Sequence, residues 1–574
     1  MTGTLTTDAA PQTIAHSPAD WWKKAVFYQV YPRSFADSNN DGIGDLPGLL
    51  SKLDYLKDLG IDALWISPFY PSPQWDQGYD VADYFSIDPS YGSLEDFDVV
   101  LSEAHQRGMR VIIDVVPNHS SSEHEWFQAA LAASPGSPER DRYIFRHSSD
   151  GAPNNWGSIF GGPAWSQVEP LTGREEDHGW WYLHMFDSHQ PDFNWENQDV
   201  WDLFDRYLHF WLERGVDGFR VDVAQGLVKA EGLPDDEIGP ERYAYVDPSG
   251  NGRTQRAPDR GPYFDQDGVH EIYRHWRTIL DQYGPDRIMV AEATIDDPVR
   301  KARYARADEM NQAFNFDILS CGWNSEELRH TLHATIEANR EVGAVNTWVL
   351  SNHDQVRHAT RFGYPYGAYL DSGLGPIDPR PDEEIGLERA LAFTTFLLGL
   401  PGAMYLYNGE ELGLPEVLDI PANERQDPTW KRTNGRAWGR DGCRVPLPWS
   451  SHQPNSGFGT GKPWLPMPKG WEQYAADLQE INPASCLNKY RQVISLRRQL
   501  DLGAGDFHMV PADEDLVVVR NGDITVAINL GMVARPVEGV QKALVTSSLG
   551  TETLPVKDQA VFLPPNTAAW LQAE

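Results

Sequence analysis

The chain has 574 residues, enough to bury a large core and to form more than one domain. Its 84 acidic and 48 basic residues give a formal net charge of −36, which argues against nucleic acid or an anionic membrane as a partner. The apolar fraction of 40% and the charged fraction of 23% are typical of a globular protein, and no run of about 18 apolar residues predicts a membrane span.

The N-terminal segment and the cysteines bear on the cellular compartment. Residues 1–20 are polar and lack the basic and apolar regions of a secretory signal. Cys321, Cys443 and Cys486 are odd in number and far apart, which favours a reducing compartment over a disulfide framework. We therefore expect a cytoplasmic protein.

Short apolar segments alternate with amphipathic helical segments along most of the chain. Helical spacing of apolar residues predicts helices over 46–59, 94–107 and 201–214. The predicted strands are 25–31, 63–67, 110–116, 217–222, 287–291, 313–316, 347–350 and 403–407. Such alternation predicts an α/β fold, a parallel (β/α)8 TIM barrel.

Two regions interrupt this alternation. Residues 119–191 are rich in glycine, proline, serine and aromatic residues and lack a helical period, so we expect an inserted subdomain after the third strand. After about residue 500, short alternating runs predict a C-terminal antiparallel β-domain. The predicted boundaries are 1–118 and 191–500 for the barrel, 119–190 for the subdomain and 501–574 for the β-domain.

The fourth predicted strand carries an arginine and an aspartate two residues apart, Arg220 and Asp222. Period-2 alternation places both side chains on one face of the strand, where Arg220 is expected to lower the pKa of Asp222. A low-pKa carboxylate at a strand end suits the nucleophile of a glycosidase. A structural ion pair is the alternative, and this pattern alone does not exclude it.

Polar residues also follow other predicted strands. Asn118 and His119 follow the third strand, Glu292 follows the fifth, and the sequence Asn352-His353-Asp354 follows the seventh. In a barrel, the carboxyl ends of the strands share one rim, so we expect these residues to converge there.

The motifs DVVPNH (114–119), GFRVDV (218–223), NHD (352–354) and the strand ending in Glu292 resemble those of the α-amylase family, glycoside hydrolase family 13. Within that family, QPDFN (190–194), NNWGSIFGG (154–162) and DQGY (76–79) are similar to the oligo-1,6-glucosidase and α-glucosidase branch. The resemblance extends from about residue 21 into the C-terminal β-domain and implies the barrel, the inserted subdomain and the β-domain together.

The resemblance implies a role for each matching residue. Asp222 would be the nucleophile, Glu292 the general acid and then the general base, and Asp354 a third carboxylate that binds sugar hydroxyls. A salt bridge between Asp76 and Arg444 would close the pocket beyond the −1 sugar and make the attack exo. The implied substrate-binding residues are Asp76, Tyr79, His119, Phe145, Phe160, Arg220, His353 and Arg444, with a core role as the alternative for the two phenylalanines and the two histidines.

A loop near the N-terminus carries oxygen-bearing side chains at alternate positions around a glycine turn. Ca²⁺ takes about six to eight such oxygens, yet Gly48 stands where an EF-hand loop has its bidentate glutamate. The family resemblance implies a structural Ca²⁺ site, with Mg²⁺ as the other candidate ion, and a loop of Asx turns without metal is the alternative. The implied ligands are Asp37, Asn39, Asp41, the carbonyl of Ile43 and Asp45.

These observations predict a retaining, exo-acting α-glucosidase that cleaves short gluco-oligosaccharides without an organic cofactor. A transglucosylase or a sucrose isomerase using the same glucosyl-enzyme is the alternative, and an inactive binding subunit is a third reading that the three carboxylates argue against. Linkage preference stays open because Val223 and the Leu447-Pro448-Trp449 sequence match no single specificity. We expect a monomer or a homodimer.

Overall fold

The computed structural model describes residues 19–239, 261–366, 370, 373–505, 507–550, 554–557 and 559–573. The prediction about a secretory signal falls mostly on residues 1–18, which lie outside these ranges. Within the described part of the chain, no helix is long and apolar enough to cross a membrane.

Eight parallel strands form one sheet that curls into a nearly closed barrel. The first strand along the chain pairs with both the second and the last, so the sheet bends back on itself. At the seam between its two edge strands, the amide of Asn315 donates to the carbonyl of Thr347 at 3.1 Å. The strands, in the order in which they neighbour one another, are Thr347–Val349, Ala403–Tyr407, Val26–Val30, Ala63–Ile66, Arg110–Val115, Gly218–Val221, Ile288–Ala291 and Gln312–Ala313.

Barrel strands are buried on both faces, and their side chains alternate between two apolar clusters. Inside the barrel, Phe27, Trp65, Ile112, Val290 and Tyr405 pack together. Their chain neighbours on the same strands point outward into the core beneath the helices. The predicted (β/α)8 barrel is confirmed, and its interior is filled by side chains.

Helices cover the outside of the barrel. Gln198–Arg214 begins at an Asn197 cap and ends at Gly215, whose φ of 101° suits glycine. The single helix predicted over 46–59 is two helices, because Lys52 between them has non-helical backbone angles (φ −111°, ψ 5°). The α-helices outside the inserted subdomain are Pro32–Phe35, Leu46–Leu50, Leu53–Leu59, Leu94–Gln106, Gln198–Arg214, Val269–Leu280, Pro298–Arg303, Phe316–Ser320, Ser325–Val342, His358–Arg361, Glu383–Leu398, Pro428–Arg432, Ala476–Glu480 and Cys486–Gln499. Single 3₁₀ turns occur at Trp21–Lys23, Glu175–Asp177, Asp441–Cys443, Pro454–Gly457, Trp471–Tyr474 and Leu502–Ala504.

A small subdomain lies between the third and fourth barrel strands, as the sequence predicts. Its antiparallel sheet has the order Phe145–His147, Trp180–Leu183, Trp165–Gln167. Its helices are Glu125–Ala132, Pro138–Asp141 and Glu169–Thr172. One short stretch of this region does have helical spacing, since Glu125–Ala132 buries Phe127 and Ala130 from one face.

The C-terminal part is antiparallel, as predicted. Trp570 joins it to the barrel domain, because its indole nitrogen donates to the carbonyl of Thr395 at 2.9 Å. One sheet has the order Phe507–Val510, Leu516–Asn521, Ile524–Asn529, Thr567–Ala573, Val540–Thr546, and a smaller one has the order Arg535–Glu538, Ala560–Leu563, Val556–Lys557.

Candidate active site

The side chains that point into the barrel change from apolar to charged at the carboxyl ends of the strands. On the third strand the inward residue after Ile112 is Asp114, and on the fifth strand Glu292 follows Val290. The fourth strand brings Arg220 to the same level, since it lies opposite Asp114 in the pairing register. Parallel register therefore gathers side chains from distant parts of the sequence at one rim, as predicted.

Arg220 is the centre of this cluster, with a side chain that is only 1% exposed. Its Nη1 lies 2.7 Å from Oδ1 of Asp222 and 2.5 Å from Oδ1 of Asp114, while its Nη2 lies 2.7 Å from Oε2 of Glu292. One guanidinium group thus bridges the two carboxylates that the family resemblance pairs as nucleophile and acid. Because both carboxylates bond to one guanidinium group, they lie close together. This favours the short distance between carboxyl groups, about 5–5.5 Å, that distinguishes retaining from inverting glycosidases.

The prediction that Arg220 lowers the pKa of Asp222 is wrong for the free enzyme. Burial holds the pKa of Asp222 well above its ordinary value, and the carboxylates of Glu292 and Asp114 add to the effect. Arg220 opposes this rise but serves three carboxylates at once, so it cannot offset the burial. Burial likewise raises the pKa of Asp114 to about 6 against the same arginine.

Val223 makes the turn that follows the candidate nucleophile. Its φ of 45° lies in the left-handed region, which a β-branched residue rarely adopts and which costs on the order of 1–3 kcal/mol. The strained backbone directs the amide of Val223 to Oε2 of Glu292 at 3.1 Å. Packing of Val223 with Trp156 and Phe264 in a buried apolar cluster holds this turn in place.

Asp354 and His353 follow the seventh strand and meet the same rim. Nη2 of Arg444 lies 2.7 Å and Nη1 of Arg440 lies 2.9 Å from Oδ1 of Asp354. Burial raises the pKa of Asp354, but these two guanidinium groups hold it below its ordinary value. Burial lowers the pKa of His353 well below its usual range, so the ring is neutral, and it stacks on Tyr79 with centroids 5.0 Å apart.

The partner of Asp76 differs from the prediction. Nη2 of Arg440 lies 2.6 Å from Oδ1 of Asp76, and its Nε lies 2.6 Å from Oδ2 of Asp427. Arg444, the expected partner, instead binds Asp354 and the carbonyl of His353. The difference follows from position. Arg440 lies between three carboxylates, whereas the fully buried Arg444 donates to Asp354 and to a backbone carbonyl. Burial raises the pKa of Asp76 to about 6, against the attraction of both arginines.

His119 and Gln190 line the same side of the site as Asp76. Nε2 of Gln190 lies 3.1 Å from Oδ2 of Asp76 and 3.1 Å from Nε2 of His119. Nε2 of His119 is also 3.1 Å from the carbonyl of Tyr79. Burial lowers the pKa of His119 to about 4, so the ring is neutral near pH 7.

The two predicted phenylalanines lie in different places. The ring of Phe160 lies 4.8 Å from the guanidinium carbon of Arg440, which places it at the site. Phe145 packs with Phe127 and Tyr182 inside the inserted subdomain, so its recorded ring contacts match the core alternative. Its position on the subdomain sheet explains this difference, since it pairs across the strands with Tyr182.

The oxygen-rich loop engages its own backbone. Both carboxylate oxygens of Asp37 accept amides, from Asn40 at 2.6 Å and Gly42 at 2.9 Å, and Asp45 accepts the amide of Gly48 at 2.6 Å as a helix cap. Among the described residues, no three acidic, histidine or cysteine side chains converge as metal ligands. Asx turns of this kind are compatible with both alternatives, and the Ca²⁺ ion stays a prediction on which no catalytic step depends.

No sequence motif assigns a role to Arg440, Gln190 or Phe186, yet all three contact the site. Phe186 lies between the rings of His119 and Phe160, with centroids 5.1 and 5.6 Å away. The sequence does offer a hint for Arg440, since it lies four residues before Arg444 in the same arginine-rich segment. Gln190 lies inside the QPDFN motif but is not one of its charged members.

Comparisons with known proteins agree with this geometry. Residues 29–503 match the family model "Alpha amylase, catalytic domain". An oligo-1,6-glucosidase of Parageobacillus thermoglucosidasius is 34% identical over 531 residues, which are 87% of this chain and 87% of that protein.

Two solved structures extend the comparison. The α-glucosyl transfer enzyme XgtA superposes with a TM-score of 0.82 at 32% identity, covering 96% of this chain and 99% of that one. A variant of the trehalulose synthase MutB from Pseudomonas mesoacidophila MX-45, in complex with the substrate sucrose, superposes with a TM-score of 0.82 at 30% identity, covering 98% and 100%. The chain therefore belongs to the α-amylase family, glycoside hydrolase family 13, and is a glycoside hydrolase.

Proposed function

We propose that this enzyme is a retaining, exo-acting α-glucosidase that removes terminal glucose from short α-linked gluco-oligosaccharides. The observation that carries the proposal is the bridging of Asp222 and Glu292 by Arg220. The nearby Asp76–Arg440 ion pair would close the far side of the sugar pocket. The oligo-1,6-glucosidase relatives support the same reaction class.

In the first step, Asp222 attacks the anomeric carbon while Glu292 gives its proton to the oxygen of the departing sugar. In the second step, Glu292 takes a proton from water, which displaces Asp222 from the glucosyl-enzyme. The glycosidic oxygen leaves as a hydroxyl, and two inversions restore the α-configuration.

The first step needs an ionised Asp222 and a protonated Glu292, and both carboxylates bond to Arg220. Three carboxylates bond to Arg220, and burial raises the pKa of both Asp222 and Asp114, so the free site favours holding a proton. The reaction requires that the proton lie on Glu292 once the sugar binds, and the developing positive charge at the anomeric carbon stabilises ionised Asp222.

Exo attack is supported by the charges at the far side of the pocket. Arg440 joins Asp76 and Asp354 in one network, with bonds of 2.6 and 2.9 Å, in which Asp76 is buried and the other two side chains are partly exposed. An ion pair with a buried carboxylate is a poor source of stability but a precise set of hydrogen-bond partners. Its donors and acceptors suit the 4-hydroxyl side of a terminal glucose, because the 4-hydroxyl of an α-1,4-linked polymer is free only at the non-reducing end.

The second candidate is an enzyme that passes the glucosyl group to a sugar instead of water. Its support is the similarity to the glucosyl transfer enzyme XgtA and to the trehalulose synthase MutB. Both reactions share the glucosyl-enzyme, so the acceptor side of the site decides between them.

Product analysis tests both candidates. Purified enzyme is incubated with maltose, isomaltose, sucrose and p-nitrophenyl α-glucoside, with the Asp222→Asn variant as the control for contaminating activity. Hydrolysis releases one free glucose per bond broken from sucrose or p-nitrophenyl α-glucoside and two from maltose or isomaltose. Transfer releases one fewer free glucose from each substrate and forms new glucosides. A rapid fall in viscosity of long amylose would overturn exo attack, because it requires internal cleavage.

We also propose three further properties. These are a Ca²⁺ ion at the loop from Asp37 to Asp45, a cytoplasmic location, and a monomeric or homodimeric state. The first is tested by the melting experiment described below, and the last by light scattering.

A further inference from the structure

A buried lysine lies behind the active-site histidine. Lys229 comes after the candidate nucleophile along the chain, and its side chain is only 3% exposed. Its ammonium group lies 2.8 Å from Oδ2 of Asp192 and donates to Oδ1 of Asn118 at 2.9 Å, and also to the carbonyl of Gly226. The reaction described above assigns Lys229 no part.

These contacts fix the orientation of the Asn118 amide. An ammonium group can only donate, so the atom of Asn118 that faces Lys229 must be the oxygen. The amide nitrogen then faces the carboxylate of Asp192 at 3.2 Å and Nδ1 of His119 at 3.1 Å.

The amide orientation in turn fixes which nitrogen of His119 carries the proton. Because Asn118 presents its NH₂ group to Nδ1, Nδ1 must accept, and the proton lies on Nε2. That proton is donated to the carbonyl of Tyr79, 3.1 Å away.

The opposite tautomer has a partner of its own. Gln190 also presents its NH₂ group to Nε2 of His119, at 3.1 Å, because its carbonyl oxygen accepts the amide of Asp187 at 3.0 Å. If the Asn118 amide turned over, Nδ1–H could donate to its oxygen and Nε2 could accept from Gln190. Two arrangements are thus available, and Lys229 stabilises one of them.

We propose that Lys229 is a positioning residue that holds the Asn118 amide in one orientation and thereby keeps the proton of His119 on Nε2, where it is donated to the carbonyl of Tyr79. This inference rests on the proposed function for its consequence, since that bond holds the segment that carries Asp76 and Tyr79 at the sugar site. Without Lys229 the same nitrogen becomes an acceptor and its bond to the carbonyl of Tyr79 is lost.

Nitrogen-15 NMR of wild-type enzyme with labelled histidine tests the tautomer without substrate. The His119→Gln spectrum assigns the His119 signals. We expect Nε2 of His119 to show the shift of a protonated nitrogen and Nδ1 that of an unprotonated one. A proton on Nδ1 in the wild-type enzyme would overturn the proposal.

The Lys229→Met/Asp192→Asn double variant removes both buried charges together, which avoids an unpaired charge. We expect the proton of His119 to move wholly or partly to Nδ1. The kcat/KM for p-nitrophenyl α-glucoside should fall about tenfold, the usual worth of one hydrogen bond. An unchanged tautomer, or a changed tautomer with wild-type kcat/KM, would each overturn the proposal.

The matched control is Arg140→Met/Asp177→Asn, which removes another buried ion pair of the inserted subdomain. This control should keep both the His119 tautomer and kcat/KM. If the first double variant does not fold, Asn118→Asp replaces it, because its carboxylate can only accept and should draw the proton to Nδ1 while Lys229 stays paired. Failure to cleave any α-glucoside would refute the proposed function alone, since the NMR result does not depend on turnover.

Discussion

Replacing Asp76 by asparagine separates the role of this side chain in binding from its effect on stability. Burial raises the pKa of Asp76 from an ordinary 3.8 to about 6. The folded protein therefore holds this proton more tightly than the unfolded chain, and the free energy of unfolding falls as the pH rises from about 4 to about 6. A pKa difference of about two corresponds to about 3 kcal/mol of destabilisation at neutral pH.

An asparagine at this position cannot ionise, so that cost is absent. It has one acceptor oxygen where Asp76 has two, and Arg440 and Gln190 each donate to a different oxygen. One donor loses its partner, which costs about 1–3 kcal/mol. We expect Asp76→Asn to be as stable as the wild-type enzyme or up to about 2 kcal/mol more stable at pH 7.

Activity should move in the opposite direction. Loss of one charge-assisted hydrogen bond to the sugar, about 1.5–3 kcal/mol, lowers kcat/KM about 10- to 150-fold. The assays are thermal melting between pH 4 and 8 and steady-state kinetics on p-nitrophenyl α-glucoside. The melting difference between Asp76→Asn and the wild-type enzyme should grow as the pH rises to about 6 and then stay constant.

Asp427→Asn is the matched control, because Asp427 binds the same arginine from the other side. The charge of Arg440 outweighs the burial of Asp427 and lowers its pKa, so its ionised form stabilises the fold near neutral pH. It also caps the helix Pro428–Arg432, accepting the amide of Thr429 at 2.7 Å. Asp427→Asn should therefore melt at a lower temperature. If Asp76→Asn melts lower as well, with near wild-type kcat/KM, Asp76 is a structural ion-pair member and the pocket argument is wrong.

Three further predictions concern the chemistry, the pocket and the metal. Asp222→Asn should lower kcat by several orders of magnitude without lowering the melting temperature at pH 7, since the raised pKa of Asp222 makes its ionised form a cost to the fold. The first glucose released from maltose by the wild-type enzyme should be the α-anomer by NMR; early β-glucose would mean inversion. Arg444→Lys should lower kcat more than it raises KM, because Arg444 orients Asp354; a change in KM alone would assign it to ground-state binding. Chelation, or Asp37→Ala with Asp41→Ala, should lower the melting temperature and leave kcat unchanged, and melting that does not respond to a calcium titration would exclude the ion.

Much of the fold can be predicted because its signals are local. Each barrel strand is a short apolar run, and parallel pairing alone then places the residues at the strand ends on one rim. For this reason the amino-acid sequence alone is enough to bring Arg220, Asp222 and Glu292 together.

What cannot be predicted depends on three-dimensional detail. Arg440 and Arg444 lie four residues apart in a segment that is mostly irregular, and only the folded chain decides which one reaches Asp76. The expected fall in the pKa of Asp222 is wrong because a sequence pattern reveals the neighbouring arginine but not its depth of burial or its sharing with Asp114. Phe145 is indistinguishable from Phe160 by sequence because burial on a small sheet and burial beside a pocket favour the same residue type.

The seam of the barrel has a consequence for hydrogen exchange. Thr347–Val349 has a full strand neighbour, Ala403–Tyr407, on one side, whereas toward Gln312–Ala313 the described residues show the bond from Asn315 to Thr347 instead of a ladder. Amides at such a boundary exchange after a local separation of the two strands, whereas amides within a full ladder exchange only after larger openings of the structure. The amide of Asn315 should therefore exchange faster than those of the neighbouring strands. Because Asp354 follows this strand, a sugar that engages its carboxylate should slow that exchange, which gives a readout of binding without turnover.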